Sequence, residues 1–299
     1  MSLFDDKELI ESITSTWEGE RFENGRPKVS DELIERFRDL TIEEIYTGIW
    51  NQHSRGYEAQ FQNGFLNSHP DKVLIGRAVT AVMAPSRLDL HASLTKIGDE
   101  DGREGFYNSW IIQIMQKYDV MVVDMFDKIL EGTFVGGNLT TGIEERTEGT
   151  GGAVIWGGVR DLDQIRKKSI PTFYRGYDPT GIKNVVMVGL NVPCRIGEAI
   201  CLPGDLVYAN CDGVVFIPPQ LAENVARTAE QTKVRDVFAF QRIDEKVYTV
   251  AQIDRSWTKA IWDDFLVWFD EECPKKYRQL TWEDIIEKEL AKQTQDLNN

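Results

Sequence analysis

The residues best placed to do chemistry stand in Gly157-Gly158-Val159-Arg160-Asp161-Leu162-Asp163-Gln164, directly after the apolar run Ala153 to Trp156. A strand that ends in glycines and turns into a helix presents backbone N–H groups and the first helical side chains at a sheet edge, where ligands bind. Arg160 and Asp161 would be presented there together. A carboxylate can hold a hard divalent cation, and a neighbouring guanidinium can meet an anionic oxygen. The same residues admit a structural reading: Asp161 or Asp163 would suit the N-terminus of a short helix whose other end carries Arg166, Lys167 and Lys168.

A second stretch, Val135-Gly136-Gly137-Asn138-Leu139, precedes a possible helix ending at Gly149. Consecutive glycines let backbone approach a ligand closely, and the N–H groups of a helix start favour a carboxylate. The chain has neither G-x-G-x-x-G nor G-x-x-x-x-G-K-[ST] here, so dinucleotide and P-loop binding have no support. A third element, Leu202 to Pro218, reads as strand, turn, strand, with Pro203-Gly204-Asp205 and Cys211-Asp212-Gly213 as turn signals and a structural role. His53, His69 and His91 share no ligand spacing, and His91 reads as a satisfied or solvent-facing histidine. Without a G-x-S-x-G elbow, nucleophilic triads have no support. Cys194, Cys201, Cys211 and Cys273 form no C-x-x-C pair, and three of them fall in or beside apolar runs as core filler.

The elements that must position these groups follow from patterning. Over 1–70 the chain reads as mainly helical, with candidates at Lys7 to Trp17 and Asp31 to Phe37. Thr41 with Glu44 forms a capping box that starts a helix running to about Trp50, and Leu40 and Ile45 serve as its hydrophobic staple. Over 71–234 the texture becomes α/β. Short apolar runs (Val73 to Ile75, Val79 to Met83, Val120 to Val123, Ala153 to Trp156, Asn184 to Val188, Ala199 to Leu202, Leu206 to Ala209, Val214 to Ile217) are bounded by Gly, Pro, Asn or Asp. Helix-length stretches intervene at about 92–118, 140–149 and 161–168, and Pro219 can open a helix to about Lys233. The 235–299 segment is a helical extension in which Trp257, Ile261, Phe265 and Trp268 share one face.

At 299 residues the chain can bury a real core, and 41% hydrophobic with 28% charged residues is ordinary for a globular protein. No window of 18 or more apolar residues indicates a membrane span. A net charge of −15 repels polyphosphate, so nucleic-acid binding is not expected. Met1 to Ile10 lacks the apolar core of a secretory signal, which predicts a cytoplasmic protein.

In order and wording, the elements from about Val73 to Ala226 resemble the RraA-like family, which includes 4-hydroxy-4-methyl-2-oxoglutarate aldolases and RraA, the protein inhibitor of ribonuclease E. The resemblance rests on Ile75-Gly76-Arg77-Ala78-Val79-Thr80, Val122-Val123-Asp124, Gly136 to Leu139, Gly157 to Asp163, Pro171 with Phe173, Arg175-Gly176, Pro179, Asn191-Val192-Pro193, and the Pro203-Gly204-Asp205 to Gly213-Val214-Val215 run. It implies an α/β fold, a swivelling β/β/α sandwich, here with helical N-terminal and C-terminal extensions. It also implies a homotrimer or dimer of trimers with sites between subunits; the aromatic stripe, larger than such a core requires, is a further reason to expect assembly.

For the site, the resemblance implies that Asp161 anchors Mg2+ or Mn2+ partly through waters, that Arg160 contacts substrate oxygens, and that the loop Gly136, Gly137, Asn138, Leu139 offers N–H groups to a 2-oxo acid's carboxylate. The implied activity is that of a metal-dependent, class II aldolase-like lyase. Such an enzyme, aldolase or decarboxylase, cleaves a carbon–carbon bond of a small 2-oxo acid through a metal-stabilised enolate. The alternative is a non-catalytic regulatory binding protein on the same scaffold. This sequence departs from the family pattern at Thr47, Arg87, Asn138, Gln164 and Asn210. Lost carboxylates near a metal weaken water-mediated coordination and remove candidate general bases.

Overall fold

A computed structural model describes residues 3–51 and 56–296; His53 lies outside the described residues. The chain divides into two compact units, Met1–Val225 and Ala226–Asn299. The helical N-terminal segment therefore shares a unit with the α/β core.

The first unit opens with α1 (Lys7–Ile13), α2 (Asp31–Arg36) and α3 (Ile42–Asn51). The capping box at α3 is present. Thr41 N–H donates to Glu44 Oε2 at 2.8 Å, and Glu44 N–H donates to Thr41 Oγ1 at 3.3 Å, which satisfies two donors a helix start would otherwise orphan. There follow β1 (Phe61–Gln62), β2 (Leu66–Asn67), β3 (Leu74–Pro85), α4 (Leu88–Glu100), α5 (Tyr107–Gln113), β4 (Asp119–Asp124), β5 (Thr133–Val135) and α6 (Gly137–Arg146). The unit continues with β6 (Gly152–Val159), α7 (Leu162–Ile165), β7 (Thr172–Tyr177), β8 (Val185–Leu190), β9 (Cys194–Ile196), β10 (Ala199–Cys201), β11 (Leu206–Asn210) and β12 (Gly213–Ile217).

Several expected boundaries shift for physical reasons. The helix-length stretch at 92–118 is two helices, because Gly102 and Gly105 adopt φ of +70° and +79° and turn the chain between them. The two runs Val73 to Ile75 and Val79 to Met83 are one strand, β3, with Arg77 buried in its middle. The stretch at 161–168 is helical only over the four residues of α7.

The main sheet runs β1-β12-β11-β3-β4-β6-β7-β2, with β5 beside β6 and β8 beside β3. Strands β3, β4, β6 and β7 are parallel. Their alternation sends residues to two cores. Met121, Val123, Ala153 and Ile155 join a cluster with Leu94, Trp110, Ile111 and Ile143 from the helices. Val120, Val122 and Val154 join Cys194, Ile196, Ala199 and Cys201 of the β9–β10 hairpin. The order is small sheet, large sheet, helices, the expected β/β/α layering. Three of the four cysteines are buried and Cys211 is exposed.

The second unit takes most of α8 (Ala222–Asp244), then α9 (Val250–Ile253), α10 (Lys259–Glu271) and α11 (Glu283–Asp296). The helix after Pro219 thus extends well past Lys233. The aromatic stripe of Trp257, Ile261, Phe265 and Trp268 is buried inside this unit, against Phe238, Trp262 and Trp282. It is consumed by internal packing and is not a surface available for assembly, which corrects that part of the sequence-based expectation. No helix among the described residues is long and apolar enough to cross a membrane.

Candidate functional site

Parallel strands β5, β6 and β7 end together, at Val135, Val159 and Tyr177, and the chain leaves β6 directly into Arg160 and Asp161. Arg160 N–H donates to Val135 O at 3.0 Å, which fixes the end of β6 beside the end of β5. Gly136 and Gly137 follow β5 immediately, so the two glycine-rich stretches meet here although 24 residues separate Gly137 from Asp161.

Asp161 adopts the left-handed conformation, with φ +56° and ψ +42°, at the N-cap of α7. Asp is one of the few non-glycine residues that tolerate this region. Its carbonyl accepts the N–H groups of Gln164 and Ile165, while its side chain makes no capping bond. The carboxylate instead receives Gly137 N–H on Oδ2 at 3.2 Å. Asp161 and Asp163 thus do stand at the N-terminus of a short helix, as the structural reading has it, but the Asp161 side chain does not cap that helix.

Arg160 Nε lies 3.5 Å from the same Oδ2, with the two side chains 44% and 38% exposed. Both glycines are needed for this packing. A Cβ on Gly136 would stand 2.4 Å from Asp161 Oδ2, and one on Gly137 would stand 1.9 Å from Gln164 Oε1. The N–H groups of Asn138 and Leu139, in the first turn of α6, have no protein acceptor among the described residues, as is usual at a helix start. Of the loop's donors, the Gly137 N–H is already engaged with Asp161.

A groove of about 610 Å3 lies over this edge, lined by Arg160, Asp161, Asp163, Arg166, Tyr177 and Asp178 among others. Tyr177 and Asp178, at and just beyond the end of β7, were not singled out from sequence; the available signal was a strand end followed by Pro179. Asp178 accepts the N–H and hydroxyl of Thr180, which hold its carboxyl below the usual range. His69 and His91 are elsewhere. His91 Nδ1 is 2.9 Å from the Tyr107 hydroxyl, and His69 Nδ1 is 2.8 Å from Ser68 Oγ.

Among the described residues no group of three or more His, Cys, Asp or Glu could enclose a metal ion. A caged zinc therefore does not fit. One half-exposed carboxylate facing a groove does fit a hard cation that keeps most of its waters and completes its shell with substrate oxygens, the usual habit of Mg2+.

Comparison with known proteins places this geometry in context. A model of the RraA-like family, described as aldolase/RraA, matches residues 27–216. A Halalkalibacterium halodurans protein named "Putative 4-hydroxy-4-methyl-2-oxoglutarate aldolase" is 29% identical over 132 residues, 44% of this chain and 61% of that protein. An uncharacterized Methanocaldococcus jannaschii protein is 29% identical over 139 residues, 44% of this chain and 66% of its own length. The chain thus spans less than two thirds of either relative. Among solved structures, an uncharacterized protein from Pseudomonas syringae pv. tomato superposes with TM-score 0.63 at 20% identity, covering 79% of this chain and 98% of that one. Streptomyces coelicolor RraAS2, described as an unusual member of the RNase ES inhibitor RraA protein family, gives TM-score 0.57 at 22% identity, covering 72% and 100%. At these identities the structural likeness establishes the fold.

Proposed function

The chain belongs to the RraA-like family, and from that premise we propose that it is a divalent-metal-dependent lyase, an aldolase or decarboxylase that cleaves a carbon–carbon bond in a small 2-oxo acid. The observation that carries this reading is the juxtaposition of Arg160 and Asp161, which line the groove, with the α6 N-terminus, which meets Asp161 through the Gly137 N–H.

Each group has a distinct task. The N–H groups of Asn138 and Leu139, at the positive end of α6, receive the substrate carboxylate. Arg160 lays its planar fork against the 2-oxo oxygen, where negative charge grows as the enolate forms, so its charge is in place before the bond breaks. Asp161, steadied by Gly137 N–H, would hold Mg2+ or Mn2+ as its one direct protein ligand. When bound, the ion supplies Lewis-acid stabilisation of the developing negative charge. Gln164 and Asn138 are neutral, so neither can serve as the general base; with a 4-hydroxy-2-oxo acid, water in the groove takes the 4-hydroxyl proton as the carbon–carbon bond breaks, and the enolate then takes a proton from solvent to give pyruvate. Expected further are a homotrimer or dimer of trimers and a cytoplasmic setting without nucleic-acid or membrane partners.

A screen of 4-hydroxy-2-oxo acids and oxaloacetate with Mg2+ or Mn2+, following pyruvate release, tests the proposal. At least one substrate should yield pyruvate, and EDTA should abolish it. If none does, the second reading leads: a regulatory binding protein on the same scaffold. That reading is favoured by the lack of a multi-carboxylate metal cluster among the described residues.

A further inference from the structure

The first unit holds a second cavity, of about 190 Å3, lined by Trp17, Tyr57, Gln60, Ile200, Asp205 and Pro219 among others. Asp205 closes the Pro203-Gly204-Asp205 turn and is 3% exposed. Its Oδ2 accepts Leu202 N–H at 2.7 Å, and its backbone carbonyl accepts Ala78 N–H at 2.8 Å. Its Oδ1 has no protein donor among the described residues. Such a carboxyl is costly to ionise unless a positive partner arrives.

Among the described residues no such partner is present. The lining contains no Lys or Arg. Arg21, near the cavity in sequence, donates to the carbonyls of Thr14, Trp17 and Gly25, and Arg26 is bound at two points to Asp119. Among the described residues, the titratable groups around Asp205 are the Tyr57 phenol in the lining and the buried Cys201 thiol, which burial and then Asp205 push upward. Neither can supply positive charge.

What the cavity does offer is acceptors and aromatic rings. Gln60, 4% exposed, donates its amide nitrogen to Phe216 O at 2.8 Å, which leaves its oxygen to offer. The Trp17 indole N–H is engaged with Glu20 O at 2.8 Å, leaving its ring. A carboxyl, an amide oxygen and π faces without a cation form a receptor for a positive charge on an apolar stem. The volume exceeds the roughly 150 Å3 that accommodates benzene, so a ligand of about six heavy atoms has room.

We propose that this cavity binds a small primary alkylammonium ion, its nitrogen paired with Asp205 and its stem lying against Trp17 and Tyr57. Burial pushes the Asp205 carboxyl up to about 8, so near neutral pH it is protonated. Binding exchanges that proton for the ligand: the ammonium keeps its own protons, Asp205 becomes a carboxylate, and one proton leaves to solvent.

The test is calorimetry of n-butylammonium chloride with the full chain at pH 6.5 and 7.5, each in two buffers of different ionisation enthalpy. Affinity should rise about tenfold over that unit, with roughly one proton released. Asp205→Asn keeps an oxygen for Leu202 N–H and should lose at least tenfold in affinity; Trp17→Ala, which leaves the turn untouched, should weaken binding several-fold and serves if Asp205→Asn fails to fold. The proposal is overturned if butylammonium does not bind, if its affinity is equal at both pH values, if n-butanol binds as tightly, or if these variants bind as the parent does.

Discussion

Inside the first unit the guanidinium of Arg26 and the carboxylate of Asp119 meet at two points, Nη1 to Oδ1 and Nη2 to Oδ2, each 2.7 Å. The side chains are 1% and 0% exposed, and Arg26 also lies 4.5 Å from the Phe22 ring centroid. Removing Arg26 leaves buried Asp119 with only the more distant Arg77 Nε, 3.8 Å away, as a charged partner, and breaking such a buried pair costs about 3–5 kcal/mol. Arg26→Ala should show that loss in urea unfolding followed by circular dichroism, and Arg26→Met with Asp119→Leu should recover much of it. A loss below about 1 kcal/mol for Arg26→Ala would mean that the pair does not stabilise the fold.

Arg160 and Asp161 should separate by substitution. Asp161→Asn keeps an acceptor for Gly137 N–H and tolerates φ +56°, so stability should change by less than about 1 kcal/mol while metal dependence disappears. Asp161→Ala should do the same and add about 1 kcal/mol of left-handed strain. Arg160→Lys should leave metal binding intact and lower turnover about 10²-fold, the loss of one oriented donor. Calorimetry that finds metal bound equally by Asp161→Asn and the parent would remove the metal from this site.

The glycines should differ from each other. A Cβ at position 136 meets Asp161 Oδ2 at 2.4 Å and Arg160 Cγ and Nε at 2.9 Å, so Gly136→Ala must displace both functional side chains and should nearly abolish turnover. At position 137 the clash is with the far end of Gln164, which can swing away. Gly137→Ala should therefore lose less, and adding Gln164→Ala should restore it. Steady-state kinetics on the three variants decides; equal losses for the two alanines would show that the contact with Asp161 is immaterial.

Stability should fall as pH rises because of Asp205. Its carboxyl is raised to about 8 in the folded chain, against an ordinary 3.8. Below about pH 4 both states hold the proton and stability is full. Above that the unfolded chain ionises first, removing about 1.4 kcal/mol per pH unit until the folded group ionises near pH 8. Asp205→Asn has no such slope, so its advantage over the parent should grow from pH 4 to 8 and then level. Asp124, also raised by burial, is common to both proteins and cancels. Parallel urea-unfolding stabilities at pH 5 and 8 would contradict the assignment.

What was legible in the sequence was what local chemistry decides. Thr41 and Glu44 cap α3 because both partners lie within one turn, and the alternation in Val120 to Val123 assigns each residue to its face. Partnership at long range was not legible. The spacing of Trp257, Ile261, Phe265 and Trp268 defines a helix face without saying that Phe238 and Trp282 cover it. Strand β7 was missed as an element because Arg175 and Gly176 interrupt it; the arginine is accommodated over the Trp156 ring at 4.3 Å and beside Asp127 at 3.1 Å. At the site, the types and positions of Arg160 and Asp161 were readable. The left-handed turn at Asp161, its bond to Gly137 N–H, and the groove contributions of Tyr177 and Asp178 depend on strands brought together by the sheet.

Strand β3 is where the sheet branches: Leu74 to Arg77 pair with Ala209 to Leu206, while Ala81 to Pro85 pair with Leu190 to Val185. The first of these partners is made about 130 residues after β3 itself. At the usual 5–20 residues per second of synthesis, that half of β3 emerges about 7 to 26 s before the strand that completes it. During that interval the nascent chain carries an apolar strand edge whose N–H and C=O groups are open to any neighbour. Newly made copies are therefore most vulnerable to misassociation on the ribosome and just after release, a hazard set by the order in which the strands appear and not by the stability of the finished protein.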